Sequence, residues 1–149
     1  MRTLTLVLAL VIATPAGAAV FIGNAGPNSI TGTRYADYIE ARQGNDRAWG
    51  GGGNDDILMG QGNDRAWGGT GADYMVGGDG IDWLYAGCDG SCDAGAGNVL
   101  FGGDGTDYLA ADNNRFDDLN CGGGDNDHAW YDAGLDRVTN CEFRGGRRR

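Results

Sequence analysis

Gln43-Gly44-Asn45-Asp46-Arg47-Ala48-Trp49-Gly50-Gly51 recurs letter for letter as Gln61-Gly62-Asn63-Asp64-Arg65-Ala66-Trp67-Gly68-Gly69. The second copy begins eighteen residues after the first. Between them lies an echo at half that distance, Gly50-Gly51-Gly52-Gly53-Asn54-Asp55-Asp56-Ile57-Leu58. The unit is therefore nine residues long and two units make the larger period. A fixed period of this kind marks a repeat architecture, in which each unit buries its apolar face only against its neighbours.

Written as G-G-x-G-x-D-x-U-x, with U apolar, the unit is satisfied at every position by 50–58, 68–76, 77–85 and 102–110. Units 41–49 and 59–67 keep the G-N-D core but lose the first Gly, and unit 32–40 carries Tyr35 in place of the third Gly. Asn28 and Asn98 replace the Asp in units 23–31 and 93–101. Residues 86–92, bounded by Cys88 and Cys92 on their inner side, break the phase. Unit 112–120 fits only at Asp117 and Leu119, and the series closes with Asp127 and Asp136 after an added residue near 121–125.

A strand of three residues, x-U-x, cannot stand alone, so it must stack on the strand eighteen residues away. Gly and Asn at the turn positions admit the positive φ that a tight turn needs. Alternation sends U inward. The expected core is Ile30, Ile39, Ala48, Ile57, Ala66, Met75, Leu84, Leu100, Leu109, Leu119, Ala129 and Val138. One apolar side chain per nine residues stabilises by roughly 1.5–3 kcal/mol. Ordering nine residues of backbone costs roughly 1–2 kcal/mol each, so a further source of stability is expected.

The acids point to that source. Of 21 acidic residues only Glu40 and Glu142 are Glu, against eleven basic residues, all Arg, and a formal charge of −10. Short carboxylates on Gly-rich backbone suit metal ligation or turn capping. Stacking places Asp46, Asp64 and Asp82 in one column and Asp37, Asp55 and Asp73 in another. Carboxylates about 5 Å apart repel by about 0.8 kcal/mol in water and about 3 kcal/mol at an effective dielectric of 20. A hard divalent cation with oxygen ligands reverses that sign, and Ca²⁺ accepts flexible sets of carboxylate and carbonyl oxygens more readily than Mg²⁺ does. The acidic balance argues against a nucleic-acid partner.

The pattern, over about 115 residues, resembles the RTX family of hemolysin-type calcium-binding repeats. The resemblance implies an all-β fold, a right-handed parallel β-roll with two units per coil, six residues forming each turn and three each strand. It implies Ca²⁺, several ions, held by Asp37, Asp46, Asp55, Asp64, Asp73, Asp82, Asp107 and Asp136. It implies turn carbonyls from Gly44, Gly51, Gly53, Gly62, Gly69, Gly71, Gly78 and Gly80. Asn28 and Asn98 would be uncharged ligands. Asp117 and Asp127, in irregular units, are left outside the set, and Tyr35 weakens the site beside Asp37. RTX proteins usually leave the cell by a type I system that reads an uncleaved carboxyl-terminal signal. This chain instead has features of an amino-terminal one.

Residues 1–18 read as a cleaved secretory signal: Arg2, an apolar run from Leu4 to Ala13, the breaker Pro15, and Ala16-Gly17-Ala18 as cleavage site. Ten apolar residues are too few to span a bilayer. The expected organisation is signal 1–18, β-roll 19–143 with the insertion at 86–92, and an Arg-rich disordered tail 144–149. Secretion favours disulfides. Four Cys allow three connectivities, of which Cys88–Cys92 with Cys121–Cys141 is expected, a Cys₄ zinc site being the alternative. Arg47, Trp49, Arg65, Trp67, Trp83 and Tyr85 should share one outer face, either as a mutually stacked ladder or as a platform for polysaccharide or a cell surface. His128 reads as an ordinary surface residue, and no nucleophile–base motif suggests an enzyme. The expected function is extracellular calcium binding coupled to folding, with surface or polysaccharide binding as the alternative.

Overall fold

The computed structural model of the chain describes residues 17–87, 97–111 and 113–147. All the regular structure among them is strand. One parallel sheet runs in the order β1 (Val20–Ile22), β3 (Tyr38–Gln43), β5 (Asp56–Gln61), β7 (Tyr74–Gly80), β9 (Val99–Gly105), β11 (Asp118–Gly124), β13 (Arg137–Thr139). The other carries β2 (Ser29–Thr31), β4 (Arg47–Gly52), β6 (Arg65–Thr70), β8 (Trp83–Tyr85), β10 (Tyr108–Ala111), β12 (His128–Asp132) and β14 (Phe143–Arg147) in the same progression. Successive strands thus alternate between sheets, and each pairs with the strand one coil away. This is the β-roll that the nine-residue period predicts.

Register follows the period. Ile39 pairs with Ile57 and Ile57 with Met75 in the first sheet, while Ala48 pairs with Ala66 in the second. Large side chains in one sheet thus face small ones in the other. At the phase break Tyr74 pairs with Val99 and Trp83 with Tyr108, so the coil there is longer by seven residues. The insertion leaves the stack continuous on both sides. The Cys88–Cys92 pairing lies outside the described residues, as does the targeting segment up to residue 16.

Every expected core residue except Val138 is buried, and Val138 packs partly buried against the cluster. The core is thicker than one side chain per unit. Half of the strands run to six or seven residues rather than three, because the pleat continues into the first positions of the next unit. That brings a second inward row, in which Ala41, Met59, Ala86, Ala111 and Cys121 are buried where other units have Gly. Ala19 and Phe21 add a first coil before the first recognisable unit.

Two boundaries move. The second sheet extends to Arg147, past the expected limit at 143, because Phe143 to Arg147 pair with His128 to Asp132. Gly145 and Gly146 lie beside Trp130 and Tyr131, where small residues permit close approach. The expected disordered tail is therefore an edge strand up to Arg147. Cys121 and Cys141 form a disulfide that ties β11 to the segment before β14, which removes these two thiols from any Cys₄ zinc site.

Candidate metal centre

The turns join the sheets, by G-G-x-G-x-D segments in the regular units, and their geometry depends at the Gly positions on backbone that Gly adopts without strain. All eight glycines expected to supply carbonyls have positive φ, from +98° at Gly53 to +136° at Gly62. Stacking leaves no room for a side chain either. A β-carbon built at Gly62 would sit 1.7 Å from the Gly44 carbonyl oxygen, and one at Gly71 would sit 2.0 Å from that of Gly53. The turns therefore pack carbonyl against α-carbon along the stacking axis.

The Asp side chains turn inward at the end of each turn and form two columns. In one, Asn28 N–H donates to Asp46 Oδ1 (2.6 Å), Asp46 N–H to Asp64 (2.7 Å), Asp64 N–H to Asp82 (2.9 Å), Asp82 N–H to Asp107 (3.0 Å) and Asp107 N–H to Asp127 (2.8 Å). Asp127 N–H ends the series on Glu142 Oε2 (2.9 Å). In the other, Ala19 donates to Asp37 (2.7 Å), Asp37 to Asp55 (2.8 Å), Asp55 to Asp73 (3.0 Å), Asp73 to Asn98 (2.8 Å), Asn98 to Asp117 (2.6 Å) and Asp117 to Asp136 (2.9 Å). One oxygen of each carboxylate thus clamps the backbone of the preceding coil, a charge-assisted bond.

The second oxygen is the unusual one. Oδ2 of Asp46, Asp55, Asp64, Asp73, Asp82, Asp107, Asp117 and Asp127 is buried without a hydrogen-bond partner. A buried carboxylate oxygen left bare costs free energy on the order of kcal/mol, and eight such atoms call for a compensating group. Burial is the leading cause that pushes Asp55, Asp82 and Asp107 up to about 7, and Asp64, Asp73 and Asp136 up to about 6. The backbone N–H bond opposes the shift, while neighbouring carboxylates in the column reinforce it, as Asp37 and Asp73 do for Asp55. Asp46, Asp117 and Asp127 are also raised, again chiefly by burial.

The candidate set changes in detail. Asp46, Asp55, Asp64, Asp73, Asp82 and Asp107 each present a bare oxygen. Asp37 does not, because Thr33 N–H and Thr33 Oγ1 also reach its carboxylate (2.5 and 3.1 Å). Nor does Asp136, whose Oδ2 accepts Asp132 N–H (2.6 Å). Asp117 and Asp127, left aside on sequence, stand in the columns with bare oxygens. Their D-x-U spacing to Leu119 and Ala129 was the signal that could have placed them. Among the described residues no three acidic, Cys or His side chains converge on one point. The carboxylates are strung along the axis, so any single cation would draw on neighbouring carboxylates and complete its shell with backbone oxygens. Hard oxygen donors, negative charge and irregular geometry fit Ca²⁺.

The outer face of the second sheet carries the expected ladder, and more of it. Trp49 stacks on Trp67 (centroids 4.9 Å) and Trp67 on Tyr85 (5.4 Å). A parallel lane stacks Trp83 on Tyr108 (4.1 Å), Tyr108 on His128 (5.0 Å) and His128 on Phe143 (4.6 Å). His128 is thus a rung rather than an isolated surface residue. Neighbouring rings turn their faces to one another, as the mutual-stacking reading expected, and offer mainly edges outward. Arg47 and Arg65 lie in register at the amino-terminal end of the second lane.

Residues 22–57, 56–84 and 93–115 match the family model described as the RTX calcium-binding nonapeptide repeat, in four copies. No curated protein and no solved structure matches the chain.

Proposed function

Because the chain belongs to the family of RTX calcium-binding nonapeptide repeats, a calcium-binding β-roll, we propose that calcium is its folding ligand and that it works in the extracellular space. The eight buried carboxylate oxygens without partners carry this reading. Asp46, Asp64, Asp82, Asp107 and Asp127 would hold ions along one edge of the roll, and Asp55, Asp73 and Asp117 along the other. The turn carbonyls of Gly44, Gly51, Gly53, Gly62, Gly69, Gly71, Gly78 and Gly80 would complete the coordination. Bound calcium supplies positive charge that neutralises each column. The chain's own residues do the rest: Oδ1 clamps the preceding coil, glycine permits the turn, and the apolar row closes behind it.

Without the ion, both columns place like charges on adjacent coils in a partly desolvated setting, which opposes stacking. Binding and folding are then coupled, since no site exists before two coils meet. Neighbour-dependent stacking makes the response cooperative. At the low free calcium of a cytoplasm the acidic, Gly-rich chain stays loose; outside, at roughly 10⁻⁴–10⁻³ M affinity, it loads and stacks. The role is structural and no catalytic residue is assigned. Among the described residues no helix is long and apolar enough to cross a membrane.

A calcium titration of the oxidised chain, followed by far-UV circular dichroism with magnesium as control, tests the proposal. A disordered spectrum in chelator should convert cooperatively to β with calcium and not with magnesium. A β spectrum in chelator that calcium leaves unchanged refutes it.

A further inference from the structure

The chain carries 21 acidic residues, yet the outer face of the second sheet carries none at the positions flanking its buried row. Reading along the register, those positions are Ser29, Arg47, Arg65, Trp83, Tyr108, His128 and Phe143 in one lane. The other lane reads Thr31, Trp49, Trp67, Tyr85, Ala110, Trp130 and Gly145. The corresponding face of the first sheet includes Glu40, Asp56 and Asp118. An acidic chain therefore keeps one face free of acid and places two arginines side by side on it.

Among the described residues those arginines have no hydrogen-bond, ion-pair or ring partner for their side chains. Other arginines are engaged: Arg42 pairs with Glu40, Arg137 with Asp118, and Arg34 lies over the Tyr35 ring. Arg47 and Arg65 sit one coil apart, about 4.8 Å at strand spacing, where like charges repel. A hollow of about 550 Å³ opens beside them, lined by Ser29, Asn45, Asp46, Arg47, Asn63 and Arg65 among others. Two of its carboxamides, Asn45 and Asn63, have their oxygens already taken as acceptors. Asn45 Oδ1 accepts Asn63 N–H (2.9 Å) and Asn63 Oδ1 accepts Ile81 N–H (2.9 Å), which leaves each amide nitrogen for a ligand. The acid on the wall, Asp46, is 1% exposed; its Oδ1 is taken by Asn28, and its bare Oδ2 is the atom assigned above to calcium, which offsets its charge in the loaded chain. The hollow thus presents two guanidinium forks, two amide donors and a hydroxyl.

We infer that this hollow binds an acidic polysaccharide, a sparsely sulfated glycan, through Arg47 and Arg65. Guanidinium forks match carboxylate and sulfate oxygens bidentately, while the amides and Ser29 suit sugar hydroxyls. A nucleic acid fits less well. Two cations cannot hold a polyphosphate that must also approach a chain of net charge −10. A glycan with sparser charge needs few ion pairs and many neutral hydrogen bonds. The inference rests on the stacked register and goes beyond calcium binding.

The test uses calorimetry and tryptophan fluorescence on the calcium-saturated chain and on the double variant Arg47→Gln, Arg65→Gln. The probes are a neutral-sugar hexasaccharide carrying one sulfate per disaccharide, the same hexasaccharide desulfated, sodium sulfate and a single-stranded DNA oligonucleotide. The sulfated sugar should bind the parent chain, and the desulfated one at least ~10-fold more weakly. The double variant should lose ~10- to 100-fold in affinity, the worth of one or two charge-assisted hydrogen bonds, with its far-UV spectrum unchanged. Equal binding by the double variant overturns the inference, as does a failure of the parent chain to bind the sugar. Competition by sulfate at matching concentration reduces the site to an adventitious ion only, and tighter binding of the oligonucleotide assigns the wrong partner; either result overturns it too.

Discussion

Replacing Asp64 with Asn should change stability in opposite directions with and without calcium. In the structure Asp64 Oδ1 accepts the N–H of Asp46 at 2.7 Å, and its Oδ2 is buried and bare. An asparagine keeps the accepting oxygen and removes the charge. The chain already contains such a case: in the other column Asn98 Oδ1 accepts the N–H of Asp73 at 2.8 Å, while its Nδ2 donates to Asp117 Oδ1 at 3.2 Å. Burial, with a contribution from Asp46, raises Asp64 from 3.8 to about 6. That is about two units, or ~3 kcal/mol of penalty on the ionised form at neutral pH. In chelator at pH 7.5 the variant should therefore be more stable, by up to ~3 kcal/mol. Because the calcium-free chain is unfolded at this pH, the gain shows as a lower concentration of an excluded osmolyte needed to bring up the β spectrum. In calcium it has lost a charged ligand, and half-saturation should require at least ~10-fold more calcium, equivalent to ~1.4 kcal/mol. Osmolyte-induced folding in chelator, followed by far-UV circular dichroism, reads the first effect, and thermal melts in saturating calcium with a calcium titration of each protein read the second. Destabilisation in both media would refute the reasoning. It would mean that the carboxylate contributes a net favourable interaction without any cation, so that the columns are structural hydrogen-bond ladders rather than sites.

The same shifts give a pH dependence. Carboxyls at about 6 to 7 in the fold but about 4 when unfolded make the folded state bind more protons between those values. The osmolyte concentration needed to fold the chain in chelator should therefore rise as pH rises from 5 to 8, and calcium should flatten that slope while releasing protons; a midpoint independent of pH would contradict the burial of these groups. Glycine substitution should discriminate by position. Gly62→Ala, at φ +136° with its new carbon 1.7 Å from Gly44 O, should cost at least ~2–3 kcal/mol, whereas Gly52→Ala, whose nearest neighbour would be Thr70 Oγ1 at 3.1 Å, should change stability by under ~1 kcal/mol. Equal losses in chemical denaturation would show that the stacked turns do not set the backbone.

Much of the architecture was legible in the nine-residue period. The inward U row, the pairing at eighteen residues and the two Asp columns all follow from one fact: identical units stacked in register bring identical positions together. The Cys121–Cys141 pair was legible too, because a separation of twenty is close to one coil. Period alone could not show how far the pleat runs. Strands of six residues bury Met59 and Ala41 in a row assigned to the turns, a consequence of cross-strand hydrogen bonding that no single unit encodes. Nor could it decide which carboxylates are free. Asp37 and Asp73 occupy the same repeat position, yet Thr33 satisfies the first while the second keeps a bare oxygen. Periodicity determined which residues share a column. Only the tertiary structure decided which of their oxygens another coil had already taken, since hydrogen-bond satisfaction depends on neighbours far along the chain.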